Sequence, residues 1–167
     1  TKTYIYETFE QLGRIPKHIV VPVGNGTLFI GVIKGLEHLL ESGVIDEMPT
    51  IIALQSEYCD PLLQAVKKGQ KFAEQVEIKP TIAEGIAIGQ PMRASEILAY
   101  AEKYAIRFVH APEDKILAAR NALAKKGIYC EHTTAANYAA YLHYCELYGA
   151  VEDCLITMCG AGLKSDH

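Results

Sequence analysis

The chain has 167 residues, a formal net charge of −4 and five cysteines, and half of its residues are apolar. This length fits one domain with a full core, and the absence of a basic patch argues against a nucleic-acid partner. No apolar run reaches the roughly 20 residues of a membrane span, and an odd number of cysteines without a CxxC pair argues against a disulfide framework and a structural zinc site.

Strand and helix patterns alternate along almost the whole chain. The strand candidates are short apolar runs that suit strands buried on both faces, and the helix candidates carry apolar residues every three to four positions. In chain order we predict a helix at 4–12, a strand at 18–23, a helix at 28–40, a strand at 51–55, a helix at 61–68, an irregular connection at 70–91, a helix at 95–104, a strand at 106–109, a helix at 112–125, a strand at 128–130, a helix at 133–148 and a strand at 154–158.

This alternation predicts an α/β fold over residues 1–167, with a mostly parallel sheet between helical layers (α/β/α). Asp60 is the predicted N-cap of the helix that begins at Pro61, and Thr133 is the predicted cap of the helix near the C-terminus. Ligands of such sheets bind where strands end and helices begin. Two turns of this kind, at residues 24–28 and 159–164, carry residues suited to binding.

The first turn reads Gly24-Asn25-Gly26-Thr27-Leu28. Its glycines permit positive φ and close approach of a ligand, and the helix that follows offers unpaired N–H groups at its positive end. Together these features favour an anion, most naturally a phosphate, with the Thr27 hydroxyl as a further donor.

Two alternatives stay open for this turn. It can be a tight strand-to-helix turn that binds nothing. It can also belong to a dinucleotide-binding fold, although Phe29 stands where the third glycine of GxGxxG belongs and Glu57 lies further along than the usual ribose-binding acid.

The segment around this turn, HIVVPVGNGTLFIGVIKGLEHL, resembles the phosphate-binding segment of fold-type II pyridoxal-phosphate (PLP) enzymes, threonine synthases in particular. KTYIYETFEQLG resembles the preceding helix of that family, IIALQSEYCDPLLQAV its next strand and helix, and PTIAEGIAIGQPMRASEIL its middle connection. YCEHTTAANYAAYL resembles the segment with the family glutamate, and ITMCGAGLKSD resembles the closing Thr-Gly-x-Gly-Leu-Lys turn. The resemblance therefore extends over essentially the whole chain.

The resemblance implies a set of cofactor-binding residues. The cofactor phosphate would be held by the backbone N–H groups and the Thr27 hydroxyl of the turn Gly24, Asn25, Gly26, Thr27 and Leu28. Glu131 corresponds to the family glutamate near the cofactor ring. Cys159 stands where the family usually has a serine or threonine bonding the pyridine nitrogen, and a thiol is a weaker partner than a hydroxyl.

The lysine that forms the Schiff base with PLP lies well before the phosphate loop in this family, and no lysine here stands in that motif. The chain also begins at Thr1, inside a predicted helix. We therefore expect a C-terminal portion of a longer protein that is inert on its own and holds PLP weakly.

The resemblance implies a PLP-dependent lyase that acts on a small amino acid, and the odd number of cysteines without a CxxC pair indicates a reducing cytoplasm. Threonine synthase, which converts O-phosphohomoserine to threonine and phosphate, is the first choice, and a serine/threonine dehydratase is the alternative. A non-catalytic phosphate-ligand or dinucleotide-binding module is the alternative from another class. Family members are commonly dimers, so a homodimer is an open expectation. No metal, nucleic acid or membrane is expected as a partner.

Overall fold

A computed structural model describes residues 1–164. Within that range four strands form one sheet in the order β3-β2-β1-β4, and every neighbouring pair is parallel. The strands are β1 (His18–Pro22), β2 (Thr50–Ser56), β3 (Arg107–Ala111) and β4 (Cys154–Ile156). The predicted α/β fold with a parallel sheet is therefore confirmed.

Six α-helices cover the sheet in the described part of the chain, and two single 3₁₀ turns lie at Glu84–Ile86 and Gly162–Lys164. The helices are α1 (Thr3–Leu12), α2 (Thr27–Glu41), α3 (Pro61–Lys67), α4 (Ala94–Lys103), α5 (Glu113–Lys125) and α6 (His132–Tyr148). None of the helices formed by residues 1–164 is both long enough and apolar enough to cross a bilayer.

Two apolar cores lie on opposite faces of the sheet. Ile19 and Val21 of β1 point towards α1, α2, α3 and α4, whereas Val20 between them points towards α5 and α6. The central strands β1 and β2 thus bury both of their faces, which explains their continuous apolar runs, whereas the edge strands β3 and β4 are less buried. A fully buried side chain such as Phe29 stabilises this arrangement by roughly 1.5–3 kcal/mol.

The predicted strand at 128–130 is wrong. Cys130 makes only an isolated antiparallel bridge with Ala161. Its carbonyl accepts a hydrogen bond from Nε of Arg120 (2.8 Å), and α6 begins two residues later at His132. The segment between α5 and α6 is therefore too short to form a strand that pairs with β4.

The start of α3 is capped differently from the prediction. Asp60 occupies the N-cap position but makes no capping hydrogen bond, and its carboxylate instead contacts His110 Nε2 at 2.7 Å. The N–H groups of Leu62 and Leu63 donate to Oε1 of the buried Gln55 (3.0 and 3.2 Å), whose Nε2 donates to Val23 O. A side chain from β2 therefore satisfies the helix terminus and ties it to the end of β1.

The connection between α3 and α4 is irregular, as predicted, apart from its one 3₁₀ turn. Glu113, in the first turn of α5, fixes this connection by accepting from Ile82 N (2.7 Å) and from the Thr81 hydroxyl (2.6 Å). These charge-assisted bonds hold the segment that contains Gly85 against the sheet. An otherwise extended stretch of chain is thereby brought to the carboxyl ends of the strands.

Candidate functional site

The two turns singled out in the sequence meet at one edge of the sheet. Because β1 and β4 are parallel neighbours, with Val20 paired with Ile156, their carboxyl ends lie side by side. A cavity of about 300 Å³ opens there, which is at the small end of the range for ligand pockets, roughly 300–1,000 Å³. It is lined by Pro22, Gly24, Asn25, Gly26, Thr27, Leu28, Gly85, Ile86, Glu131, Thr133 and Cys159.

All seven residues that the sequence nominated for cofactor binding therefore line one cavity. Their binding role stays a prediction, whereas their proximity is a property of the fold. The last two residues of the closing motif, 165 and 166, lie outside the described residues.

The first wall of the cavity is the loop between β1 and α2. Gly26 has φ 92°, a conformation that favours glycine, and its carbonyl accepts the first helical bond from Ile30 N (2.9 Å). Among the described residues, no acceptor lies in hydrogen-bond geometry with the N–H groups of residues 24–28. These donors and the N-terminal end of a 15-residue helix converge on the cavity.

Gly24 lets this loop pack closely against the segment that contains Gly85. A Cβ built on Gly24 would lie 3.0 Å from Gly85 O and 3.3 Å from Ile88 Cγ1. Any side chain at this position would press on the Gly85 segment. The glycine therefore permits close contact between the loop and the Gly85 segment, which encloses one side of the cavity.

The second wall is formed by the start of α6 and the turn after β4. The N–H of Glu131 donates to Gly160 O (3.0 Å), and the N–H of Gly160 donates to the Thr134 hydroxyl (2.9 Å). A Cβ on Gly160 would overlap the carboxyl group of Glu131, so this glycine lets the glutamate lie flat against the turn. The backbone thus locks Glu131 and Cys159 side by side.

Thr133 does not cap α6, in contrast to the prediction. The N-cap is Glu131, and no side chain closes the helix terminus there. The Thr133 hydroxyl instead accepts from Gly85 N at 3.0 Å. Its role is to attach the long connection to the cavity, which explains why Gly85 is among the lining residues.

Cys159 is exposed to the cavity, but the atoms behind its sulfur belong to buried polar side chains. The Thr134 hydroxyl lies 3.4 Å from Cys159 Sγ and Nδ2 of Asn137 lies 3.8 Å from it. Nδ2 of Asn137 also donates to Thr157 O at 2.7 Å. Burial raises the pKa of the Tyr4 hydroxyl, which lies 3.1 Å from the Thr157 hydroxyl behind this group.

Sequence reasoning missed Thr134 and Asn137. The signal was present, because both are polar residues within an alanine-rich helix that is buried from Thr133 to Asn137. A polar side chain at such a position needs a partner, and the partner here is the turn of Cys159.

The chemistry of the lining favours an anion and a neutral ring over a metal. Glu131 is the one carboxylate among the lining residues, which include no lysine or arginine. Within residues 1–164, no three side chains of His, Cys, Asp or Glu are placed so that they could hold a metal ion together. Backbone donors are gathered at one wall, and a thiol and a carboxyl group at the other.

Two larger surface cavities, of about 570 and 540 Å³, lie elsewhere. The first is a groove between α3 and α4, and the second surrounds the amino ends of the strands near Arg14 and Lys17. Neither contains a nominated residue, so the smaller cavity at the carboxyl edge is the candidate functional site.

In this parallel α/β fold, unpaired amides follow β1 and polar side chains follow the neighbouring strand β4. This arrangement is typical of proteins that bind phosphorylated ligands. The chain belongs to the family described as pyridoxal-phosphate dependent enzyme, whose model matches residues 1–160. The cofactor of that family is pyridoxal 5′-phosphate, so the family resemblance and the expected cofactor are confirmed.

Two relatives illustrate the similarity of the chain to threonine synthases. The chain is 31% identical over 140 residues to a threonine synthase of Methanosarcina acetivorans, and 30% identical over 168 residues to a threonine synthase of Mycobacterium leprae. These matches cover 83% and 98% of this chain but only 35% and 44% of the relatives. The chain thus spans less than half the length of either protein.

Solved structures agree on the fold. The processed threonine deaminase isoform 2 of Solanum lycopersicum matches 98% of this chain with a TM-score of 0.78 at 22% identity, over 45% of its own length. A fungal L-serine ammonia-lyase from Rhizomucor miehei matches 96% of the chain with a TM-score of 0.77 at 20% identity, over 51% of its own length. At these identities the likeness concerns the fold alone.

Proposed function

We propose that this chain is the phosphate- and ring-binding portion of a PLP-dependent enzyme that acts on a small amino acid, with threonine synthesis from O-phosphohomoserine as its reaction. The observation that carries the proposal is the single cavity between the two turns. Unpaired amides of residues 24–28 face it from one side, and Glu131 and Cys159 face it from the other.

The lining residues fit this cofactor. The loop at 24–28 supplies several N–H donors and no fixed positive side chain, and Gly26, with φ 92°, lets the chain turn tightly into α2. Cys159 offers a neutral hydrogen-bonding group, which suits the nitrogen edge of a pyridine ring. The small volume suits a flat ring held edge-on between two walls.

Each group has a distinct task in the proposed site. The amides of residues 24–28 and the Thr27 hydroxyl bind and orient the phosphate. Cys159 would offer a hydrogen-bonding group to the ring of the bound cofactor. Glu131, locked against Gly160, would keep a carboxyl group in the cavity beside the cofactor. Thr133 holds the Gly85 segment over the cavity and limits the entry of water.

When bound, the cofactor would supply an electron sink for the negative charge that develops at the amino acid's α-carbon. The lysine that would anchor it covalently belongs, in this proposal, to a preceding part of the protein. The isolated chain therefore binds PLP without a covalent anchor and does not turn over substrate. The short span relative to the threonine synthases supports this view.

The proposed reaction is tested on the complete protein that carries this chain. With PLP and O-phosphohomoserine we expect threonine and inorganic phosphate in equal amounts. Formation of 2-oxobutanoate from threonine, without threonine synthesis, would instead identify a dehydratase. A double variant, Cys159→Ala with Gly24→Val, should form less product than the wild type. Unchanged product formation in this variant would contradict the proposed site.

The isolated chain provides a second test. After addition of PLP and reduction with borohydride, we expect low, scattered labelling of surface lysines. One lysine labelled in good yield would contradict the proposed absence of a covalent anchor. Light scattering of the complete protein tests the proposed homodimer. The five cysteines are free and suit the proposed cytoplasmic location, which fractionation of the source cells tests.

A further inference from the structure

The sulfur of Cys159 is held from behind by two buried side chains of α6. Thr134 and Asn137 are both fully buried, and their polar atoms lie 3.4 and 3.8 Å from Cys159 Sγ. Both side chains also bond the backbone of the same turn, through Gly160 and Thr157. One face of one helix therefore controls both the backbone and the side chain of this turn.

The hydrogen bonds of Asn137 have a fixed direction. Thr157 O is an acceptor only, so it must face the Nδ2 end of the amide. The second hydrogen of Nδ2 is then directed at Cys159 Sγ, which accepts it. Within residues 1–164, Oδ1 of Asn137 has no hydrogen-bond partner. A buried unpaired oxygen lowers stability, and an apolar residue at this position would not have that cost. The contribution of Asn137 at this position therefore comes from the contacts of its Nδ2.

Thr134 adds a second contact on the same side of the sulfur. Its hydroxyl oxygen accepts from Gly160 N (2.9 Å), which leaves its hydrogen for Cys159 Sγ or for Gly160 O at 3.3 Å. A sulfur that accepts hydrogen bonds on its inner side keeps its own S–H free for the cavity.

We propose that Thr134 and Asn137 are positioning residues that turn the Cys159 thiol into a donor aimed at the ring nitrogen of the bound cofactor. This inference rests on the proposed function, and it identifies the two side chains that make a weak thiol usable where relatives have a hydroxyl. The protein then recognises an unprotonated pyridine nitrogen rather than a ring of the same shape alone.

The test compares two ligands that differ only at that atom. Pyridoxine 5′-phosphate has the ring nitrogen and no aldehyde to react with lysines, and its benzene analogue has C–H in place of the nitrogen. We expect the chain to bind the pyridine about three- to tenfold more tightly than the analogue, as a single hydrogen bond allows. Calorimetric titration at millimolar ligand concentrations measures both affinities, with inorganic phosphate as a third ligand.

Variants assign the discrimination to the two residues. Thr134→Val and Asn137→Leu should each reduce the preference for the pyridine to near unity and leave phosphate affinity unchanged, whereas Thr134→Ser keeps the hydroxyl and the preference. Thr133→Val is the matched control, because its hydroxyl bonds Gly85 and not Cys159. It should weaken both aromatic ligands equally.

Folding is checked in the same samples. Cys59 and Cys130 are buried, so both stay unreactive to iodoacetamide while α6 is in place. If one of the two variants exposes them, the other carries the test.

The outcomes separate the two proposals. Binding of inorganic phosphate and both aromatic ligands with equal affinity would overturn the positioning role and leave the phosphate cradle standing. Equal weakening of both aromatic ligands by Thr134→Val and Asn137→Leu would likewise reduce these residues to structural ones. Failure of the wild-type chain to bind any of the three ligands would overturn the proposed function together with this inference.

Discussion

Gly26→Ala probes the loop that forms the first wall of the site. Gly26 has φ 92°, and a Cβ there would overlap Cδ1 of Ile97 in α4, with Cγ1 3.0 Å away. Ile97 is fully buried, so moving its side chain would disturb the surrounding core. Left-handed backbone costs an alanine roughly 1–2 kcal/mol, and overpacking adds about 1–3 kcal/mol. We therefore expect a loss of roughly 2–5 kcal/mol of unfolding free energy from these two sources.

Gly43→Ala is the matched control for this substitution. Gly43 also has positive φ (73°), but a Cβ there meets nothing within 4 Å. Its cost should be the backbone strain alone, about 1–2 kcal/mol. Urea denaturation of each variant gives the difference directly, since the slope of free energy against urea should stay constant.

Ile97→Val separates strain from overlap, because valine lacks the Cδ1 atom. The change alone should cost about 0.5–1.5 kcal/mol. In that background the penalty of Gly26→Ala should fall towards that of Gly43→Ala, with a coupling of about 1–3 kcal/mol. The reasoning is refuted if Gly26→Ala costs no more than Gly43→Ala, or if the coupling is zero.

Three further predictions follow from other contacts. Glu113→Ala should release residues Thr81 and Ile82 and destabilise the chain by about 1–3 kcal/mol, whereas Glu113→Gln, which keeps an acceptor, should cost less in the same denaturation assay. The Arg14 side chain and Lys17 N–H hold the pKa of the Asp153 carboxyl below its ordinary value. The ionised Asp153 carboxylate therefore stabilises the fold at neutral pH, and this stabilisation is lost as the pH falls below about 4. The difference in unfolding free energy between wild type and Arg14→Ala should shrink over that range. A difference that does not depend on pH would contradict the ion pair. Iodoacetamide at pH 8 followed by peptide mass mapping should label Cys159 first and Cys154 slowly, because burial raises the pKa of Cys154 to about 11; labelling of Cys59 or Cys130 before Cys159 would contradict the packing.

Periodicity in the sequence was sufficient for most of the fold. Helices such as α1 and α2 carry apolar stripes, and the strands are short apolar runs, so their ends were predicted to within about two residues. The prediction at 128–130 is wrong because three apolar residues carry no periodicity. Whether they pair with a neighbour depends on where α6 begins and on Arg120, which lies ten residues away from Cys130.

The candidate site was predictable where a local pattern carried it and hidden where distant residues meet. The loop at 24–28 is contiguous, and its glycines indicate its shape. A threonine before a helix usually caps it, so the local pattern at Thr133 predicts a cap, and only the path of the connection reveals its bond to Gly85. Thr134 and Asn137 matter through Cys159, which lies more than twenty residues away.

The central claim is that one ligand bridges the two turns at the carboxyl edge of the sheet. Backbone amide NMR of the chain tests this claim most directly. Inorganic phosphate should shift the amide signals of residues 24–28 alone, whereas pyridoxine 5′-phosphate should shift those signals together with the signals of Glu131 and Cys159. Shifts confined to one turn with both ligands, or located in the groove between α3 and α4, would contradict the account.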